Sequence, residues 1–348
     1  MPELPGLLAT AFDLGTASDL RPIQVGSHES WRLDTSRGSF LVKRLWSGPD
    51  PSWRKEYETS MELERRAFDA GLPTATPVEP VRRHFGWATR VEAHGVWRAY
   101  RWLDHTTIDP EAVDVRWFGE TVALLHTLYP LRAQPDSEWR WLGVHPLDQW
   151  RTWLDAAHDL DKAWAPTVEE HLDDIESVTT QIRSLYENST DHLVSHRDLG
   201  PWNVLRTSDG LRLIDWENAG PTTASIELGR AVLAFGNDNP TRMDQLLAAY
   251  RAAGGLVAGE PEDLFNWSLT QHLSQITERI KISVGDLDPE DDPAPIWMTP
   301  SSIDQDIADG ITTLRAKSDQ LSTAANRLGH DPLWLGGGRP SDPESGMN

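Results

Sequence analysis

Cysteine is absent from all 348 residues, so the chain has no disulfide framework, no thiolate metal site and no cysteine nucleophile. Lysine is scarce as well: Lys43, Lys55, Lys162, Lys281 and Lys317 are the whole supply. With 32 Lys and Arg against 54 Asp and Glu, the net charge of −22 repels phosphate backbones and anionic lipid headgroups. General nucleic-acid and membrane-surface binding are thereby excluded, whereas a cationic small molecule would be drawn inward. No run approaches the roughly 18 apolar residues of a membrane span. The opening Met1-Pro2-Glu3-Leu4-Pro5 also lacks the basic segment and apolar stretch of a secretory leader. The expectation is a cytoplasmic protein, monomer or homodimer. What is present is 39% hydrophobic and 25% charged, the composition of a folded globular chain, and its length suits about two domains.

The patterning changes character part-way along the chain. Residues 21–45 read as strands, with Asp34-Thr35-Ser36-Arg37-Gly38 as the turn of a hairpin. Helical spacing follows from about Trp53 to Ala70, stopped by Gly71 and Pro73, and residues 78–81 and 87–103 alternate again. Beyond residue 104, helical patterns dominate at 115–128, 147–164, 168–186, 226–235, 241–253, 263–282 and 303–328, with short strands at 192–195 and 211–214. The fold class expected is α+β and bilobal. A small N-terminal lobe, residues 1–103, holds a mixed β-sheet with one helix. A larger, mostly helical lobe spans 104–335, with an insertion at 130–146, an acidic linker at 286–292 and a disordered tail at 336–348. A ligand cleft between the lobes is the default expectation.

Chemistry concentrates in His192-Leu-Val-Ser-His196-Arg197-Asp198-Leu-Gly-Pro-Trp-Asn203, followed by the apolar run Leu211 to Ile214 and then Asp215-Trp216-Glu217. Three oxygen-bearing side chains, Asp198, Asn203 and Asp215, thus fall on neighbouring loops. Phosphoryl transfer needs one carboxylate to orient a hydroxyl and take its proton, plus hard oxygen ligands for Mg²⁺. Asp198 is the candidate base; Asn203 and Asp215 are the candidate metal ligands. Asp and Asn also make turns and caps, but here the spacing, flanking strands and lobe order agree with the chemical reading.

His196-Arg197-Asp198 with Asn203 matches the H-R-D-x-x-x-x-N catalytic loop of protein kinases. However, there is no G-x-G-x-x-G loop, Trp216-Glu217 follows Asp215 where Phe-Gly would stand, and no A-P-E closes an activation segment. The combination resembles the aminoglycoside phosphotransferase and choline kinase superfamily, small-molecule kinases of protein-kinase-like fold. Val25 to Ser30 resembles that family's nucleotide-positioning loop, Ser39 to Arg44 its lysine strand, 97–104 its hinge, and Leu124-Leu125-His126 its L-x-x-L-H helix.

The resemblance implies an ATP-dependent kinase, with GTP as an alternative nucleotide and Mg²⁺ as metal, phosphorylating a hydroxyl of a small, amine-bearing, cationic molecule: an aminoglycoside-like antibiotic, amino sugar or choline-like alcohol. It implies that Lys43 binds the α- and β-phosphates, that Glu62 pairs with Lys43, with Glu58 competing, and that Gly26, Ser27 and Ser30 contact the nucleotide. His196 and Arg197 would brace the catalytic loop. Glu217 is left open between second metal ligand, turn cap and substrate contact. Glu227 stands near the family's usual Asp-Leu pair, and it joins Glu262, Asp263 and Trp267 as candidates for an acceptor wall. The rival function, motivated by the glycine-poor loop, is a catalytically weak nucleotide-binding regulator on the same fold.

Overall fold

The structure, a computed structural model, describes residues 3–24, 29–45, 52–106, 108–131, 143–237, 239–255, 264–286 and 302–329. The chain begins with a helix, α1 (Leu4–Ala11), then strands β1 (Ala17–Gln24), β2 (Glu29–Thr35) and β3 (Gly38–Leu45). After α2 (Ser52–Asp69) come β4 (Pro77–Val78), β5 (Thr89–Val91) and β6 (Gly95–Arg101). These strands form one sheet in the order β1-β2-β3-β6-β4, with β5 also on β6. Every pairing in it is antiparallel, so the sheet is not the mixed one expected from sequence. The expected hairpin turn lies where Thr35 pairs with Gly38.

The two faces of this sheet are covered by different helices, so the lobe carries two helices where one was expected. Leu8 of α1 and Phe12 just after it pack with Leu33, Phe40, Val42 and Trp97, while Tyr57 and Met61 of α2 pack with Leu45, Phe85 and Val96. Residues 57, 61 and 64 recur at i, i+4 and i+7 along α2 and share one face, which is buried at all three. Leu63 and Ala67, on an adjacent stripe, join the core of the second lobe.

That lobe comprises β7 (His105–Thr106), α3 (Val115–Leu128), α4 (Leu147–Asp159), α5 (Ala165–Glu170), α6 (Leu172–Asn188), β8 (His192–Ser195), β9 (Val204–Thr207), β10 (Gly210–Leu213), β11 (Gly220–Thr223), α7 (Ala224–Gly236), α8 (Pro240–Ala252), α9 (Asn266–Val284) and α10 (Ile303–Gly329). The single helix expected at 147–164 is broken after Asp159, where Asp161 takes a left-handed φ of 53°. One core gathers around α7, including Phe118 stacked on Phe235 at 3.6 Å; a second, rich in Trp and Ile, joins α4, α5, α6, α9 and α10. Most of the 130–146 insertion, the 286–292 linker and the 336–348 tail lie outside the described residues. Among the described residues, no helix is long and apolar enough to cross a membrane.

Candidate active site

Two hairpin-like returns of the chain build the site. The strand β8, buried at all four positions, runs into 196–203, and β9 and β10 then pair antiparallel, Val204 with Leu213. Because the hairpin closes on itself, the residue before it and the residues after it meet: Ile214 N–H donates to Asn203 O at 3.0 Å, and His196 Nε2–H donates to Ile214 O at 2.9 Å. Asp198, Asn203 and Asp215 are thereby tied into one loop pair. Arg197 and Asp215 both hold left-handed φ values, 59° and 68°, which non-glycine residues adopt at a cost of order 1–3 kcal/mol where the surroundings compel it.

Asp198 is gripped on both carboxylate oxygens. Asn203 Nδ2–H donates to Oδ2 at 2.8 Å and to the Asp198 carbonyl at 2.8 Å. Arg230 of α7 ion-pairs with Oδ1 and donates to the Arg197 carbonyl at 2.5 Å. Each carboxylate oxygen has a second lone pair, so the grip orients Asp198 while leaving it able to accept a proton. Burial is the main force on the Arg230 guanidinium, drawing its pKa below the ordinary arginine value. Sequence reasoning missed Arg230, because an arginine on an apolar helix carries no local sign of pointing inward.

The loop is held from beneath by Glu227, three residues before Arg230 and on the same face of α7. Its Oε1 accepts from Arg197 N–H at 2.5 Å; its Oε2 accepts from Ser195 Oγ and from His126 Nε2 at 2.9 Å. His126 Nδ1 in turn meets the Tyr250 hydroxyl at 2.8 Å. Burial opposes the Glu227 charge, but the hydrogen bonds from His126 and Ser195 and the charge of His126 outweigh it and hold the carboxyl below the ordinary glutamate range. At 1% exposure Glu227 cannot line an acceptor wall, and that expectation is corrected: it is a strut of the 196–203 loop. Glu262 and Asp263 lie outside the described residues, as does the side chain of Trp267. Arg197 Nε–H donates to Asn218 O at 2.6 Å, and burial keeps His196 below the usual histidine pKa.

Between the lobes lies a cleft walled by Ile23, Leu41, Ala75, Tyr100, Leu103, Leu205 and Ile214, with Ser30, Lys43 and Asp215 also in its lining. Ser30 of β2 is paired in register with Lys43; Gly26 and Ser27 lie outside the described residues. Lys43 Nζ, 172 residues from Asp215 in sequence, donates to its Oδ1 at 2.5 Å and lies 3.0 Å from Glu217 Oε2. Burial works against the ammonium, yet Glu217 and Asp215 together hold its pKa above the ordinary lysine value.

The expected Lys43 partner, Glu62, is elsewhere: it faces Arg65 and Arg66, at 2.9 and 2.8 Å, on the outer side of α2. Glu58 pairs with Arg54 at 3.0 Å. The carboxylate that α2 does send inward is Glu64, with 0% exposure, and it pairs with Arg98 of β6. The correction follows from helix geometry: Glu64 shares the face of Tyr57 and Met61, whereas Glu62 is turned away from it.

With this geometry in place, comparison with known proteins decides the family. The family model described as "Phosphotransferase enzyme family" matches residues 19–263, well over half of the chain. The chain belongs to the APH phosphotransferase family. Among solved structures, it is similar to a spectinomycin phosphotransferase in complex with ADP and spectinomycin, at 12% identity and a TM-score of 0.59, over 93% of this chain and 98% of that one. An aminoglycoside phosphotransferase from Alicyclobacillus acidocaldarius gives 17% identity and a TM-score of 0.57, over 94% and 98%. An amicoumacin kinase in complex with AMP-PNP and Ca²⁺ gives 14% and 0.59, over 89% and 91%. At these identities the likeness establishes the bilobal kinase-like fold of the APH chain. A shorter match, 51% identical, is to the trifolitoxin immunity protein of Rhizobium leguminosarum bv. trifolii, over 41 residues, 12% of this chain and 16% of that protein.

Proposed function

We propose that this APH-family chain is an ATP- and divalent-metal-dependent phosphotransferase that moves the γ-phosphoryl group to a hydroxyl of a small, amine-bearing molecule. One observation carries the reading: Lys43 and Asp215 line the interlobe cleft, Lys43 pairs there with Asp215 and with the buried Glu217 behind it, and their turn is tied to the loop that grips Asp198. Family membership and the small molecules bound by the similar spectinomycin phosphotransferase and amicoumacin kinase support it.

The donors suit Mg²⁺. Among the described residues no group of three or more His, Asp or Glu forms a ready cage, but Mg²⁺ takes one or two carboxylates and keeps several waters and phosphate oxygens. Asp215 and Glu217 already converge on one positive charge, the Lys43 ammonium. The Asn203 amide nitrogen is committed to Asp198, which leaves its amide oxygen as the atom to face a cation. Asp215, Asn203 and Glu217 would hold the ion, which when bound neutralises triphosphate charge and orients the phosphoryl group.

Lys43 would then give up Asp215 for the phosphates, and Ser30, with Gly26 and Ser27 before it, would meet the nucleotide. Asp198 orients the acceptor hydroxyl and takes its proton as the oxygen bonds to the γ-phosphorus; the bond from that phosphorus to the β-bridging oxygen breaks, and ADP departs. The excess of acidic side chains favours a cationic acceptor through its long-range field. Coupled ADP release over aminoglycosides, amino sugars and choline, with ATP and with GTP, tests the reading. Acceptor-dependent ADP release supports it; tight ATP binding without transfer to any acceptor favours the regulatory alternative.

A further inference from the structure

Of the eight residues 196–203 that carry Asp198, Trp202 alone is exposed, at 60%, while Leu199, Gly200, Pro201 and Asn203 beside it are buried. Single exposed apolar residues are ordinary on a protein surface. The surroundings of this one are not. The indole folds back on its own loop, and its six-membered ring lies over Gly200, where a Cβ would strike Cζ2, Cε2 and Cη2. The Arg230 guanidinium carbon stands 5.6 Å from the Trp202 ring, and the same guanidinium ion-pairs with Asp198 Oδ1. One buried cation therefore links the ring to the candidate base. An acceptor hydroxyl brought to Asp198 arrives beside an indole that is more than half open to solvent.

We propose that Trp202 is a specificity-determining residue for the acceptor: its open indole surface receives the saturated ring of a sugar or cyclitol, so that ring-bearing amino alcohols are selected over acyclic ones. The inference deepens the kinase reading and rests on it for the acceptor's place at Asp198. Two physical arguments support the choice of a ring. The first is area. Apolar association scales with the surface removed from water, and a flat indole is covered by the C–H face of a six-membered ring but only in part by a short acyclic chain. The second is charge. An indole face attracts cations within about 6 Å of its centroid, and Arg230 already stands inside that range. An ammonium brought to the same indole would meet a like charge nearby, whereas the C–H face of a sugar carries no net charge to repel. The amines of the acceptor are then left to the acidic field of the chain, and the ring to Trp202.

The full chain and its Trp202→Phe and Trp202→Ala variants test this, with glucosamine and kanamycin as ring-bearing probes and choline and ethanolamine as acyclic ones. Steady-state ADP release gives KM and kcat, and calorimetric titration with Mg-AMP-PNP present gives binding without turnover. The wild-type chain is expected to favour a ring-bearing probe over both acyclic ones. In Trp202→Ala, KM for that probe should rise about tenfold or more while kcat stays within about threefold. Trp202→Phe, which keeps an aromatic face, should stay within about threefold of wild type in KM. KM for MgATP, and for whichever acyclic probe is turned over, should move less than about twofold in either variant. An equal rise in KM for ring-bearing and acyclic probes overturns the proposal, as does a fall in kcat at unchanged KM, which would make Trp202 a support of the Asp198 loop. A wild-type preference for choline or ethanolamine overturns it too, and so does failure of both ring-bearing probes to be bound or turned over. Ring-bearing probes that bind and lose about tenfold in affinity in Trp202→Ala, with no ADP release from any probe, contradict the kinase reading and leave the role of Trp202 supported.

Discussion

Arg230 of α7 and Asp198 of the 196–203 loop form an ion pair across 32 residues of sequence, and the same guanidinium donates to the carbonyl of Arg197, one residue earlier. A single buried side chain thus fixes both the carboxylate and the backbone that carries it. Removing one member of such a pair leaves an uncompensated charge, at a cost of about 3–5 kcal/mol for fully buried pairs. Arg230→Met is expected to fall at the low end, because the Asp198 side chain retains 19% exposure to water. Turnover should drop at least about tenfold while ATP affinity holds, with Arg230→Lys intermediate. Denaturant unfolding and steady-state kinetics on the three proteins check both expectations; turnover unchanged in Arg230→Met would contradict them.

Gly229 sits between Glu227 and Arg230 on the helix that supports the loop. A Cβ built there would lie 1.1 Å from the Leu264 carbonyl oxygen, a backbone atom that no side-chain rotation can move. Gly229→Ala normally favours a helix by up to about 1 kcal/mol, yet here overpacking should reverse the sign and destabilise by about 3 kcal/mol or more. A chain with Gly229→Ala that unfolds at the wild-type denaturant midpoint would contradict this packing.

Four histidines, His145, His192, His196 and His272, are held below the usual histidine pKa chiefly by burial, His145 at about 4. In the unfolded chain they take up protons near the ordinary value of 6.5, while the folded chain resists until lower pH. Through these rings the unfolded state binds more protons in this window, so their contribution to stability falls as pH drops below 6.5 toward about 4. Thermal midpoints should decline already between roughly pH 6.5 and 5, above the range where ordinary carboxylates titrate. A flat profile there would contradict the burial of these rings.

The sequence made the order of elements and the proximity of Asp198, Asn203 and Asp215 legible, because both rest on local signals. The Asp34 to Gly38 turn, the long apolar spacings of α3 and α6, and the His196 to Asn203 spacing each lie within one short stretch. What escaped was non-local or masked by residue type. Strand β11, Gly-Pro-Thr-Thr, is a strand only because it pairs with β8, and β9 because it closes the hairpin onto β10. Glu64 was hidden in a charged helix, although its spacing from Tyr57 and Met61 marked the inward face. Arg98 and Arg230 could not be seen, since arginine is ordinarily a surface residue and only the carboxylates around them explain their burial. The helix α1, which begins with Leu-Pro-Gly, is fixed by contacts distant in sequence, where Leu8 and the following Phe12 pack on the back of the sheet.

The most direct measurement is acceptor-dependent ADP release by the wild-type chain and by Asp198→Asn, alongside MgATP binding to both. The substitution keeps the size of the side chain and its contact with Asn203 but removes the proton acceptor. Turnover reduced by about 10²–10⁴, with MgATP still bound, is the predicted result. Equal ADP release by the two proteins would contradict the account.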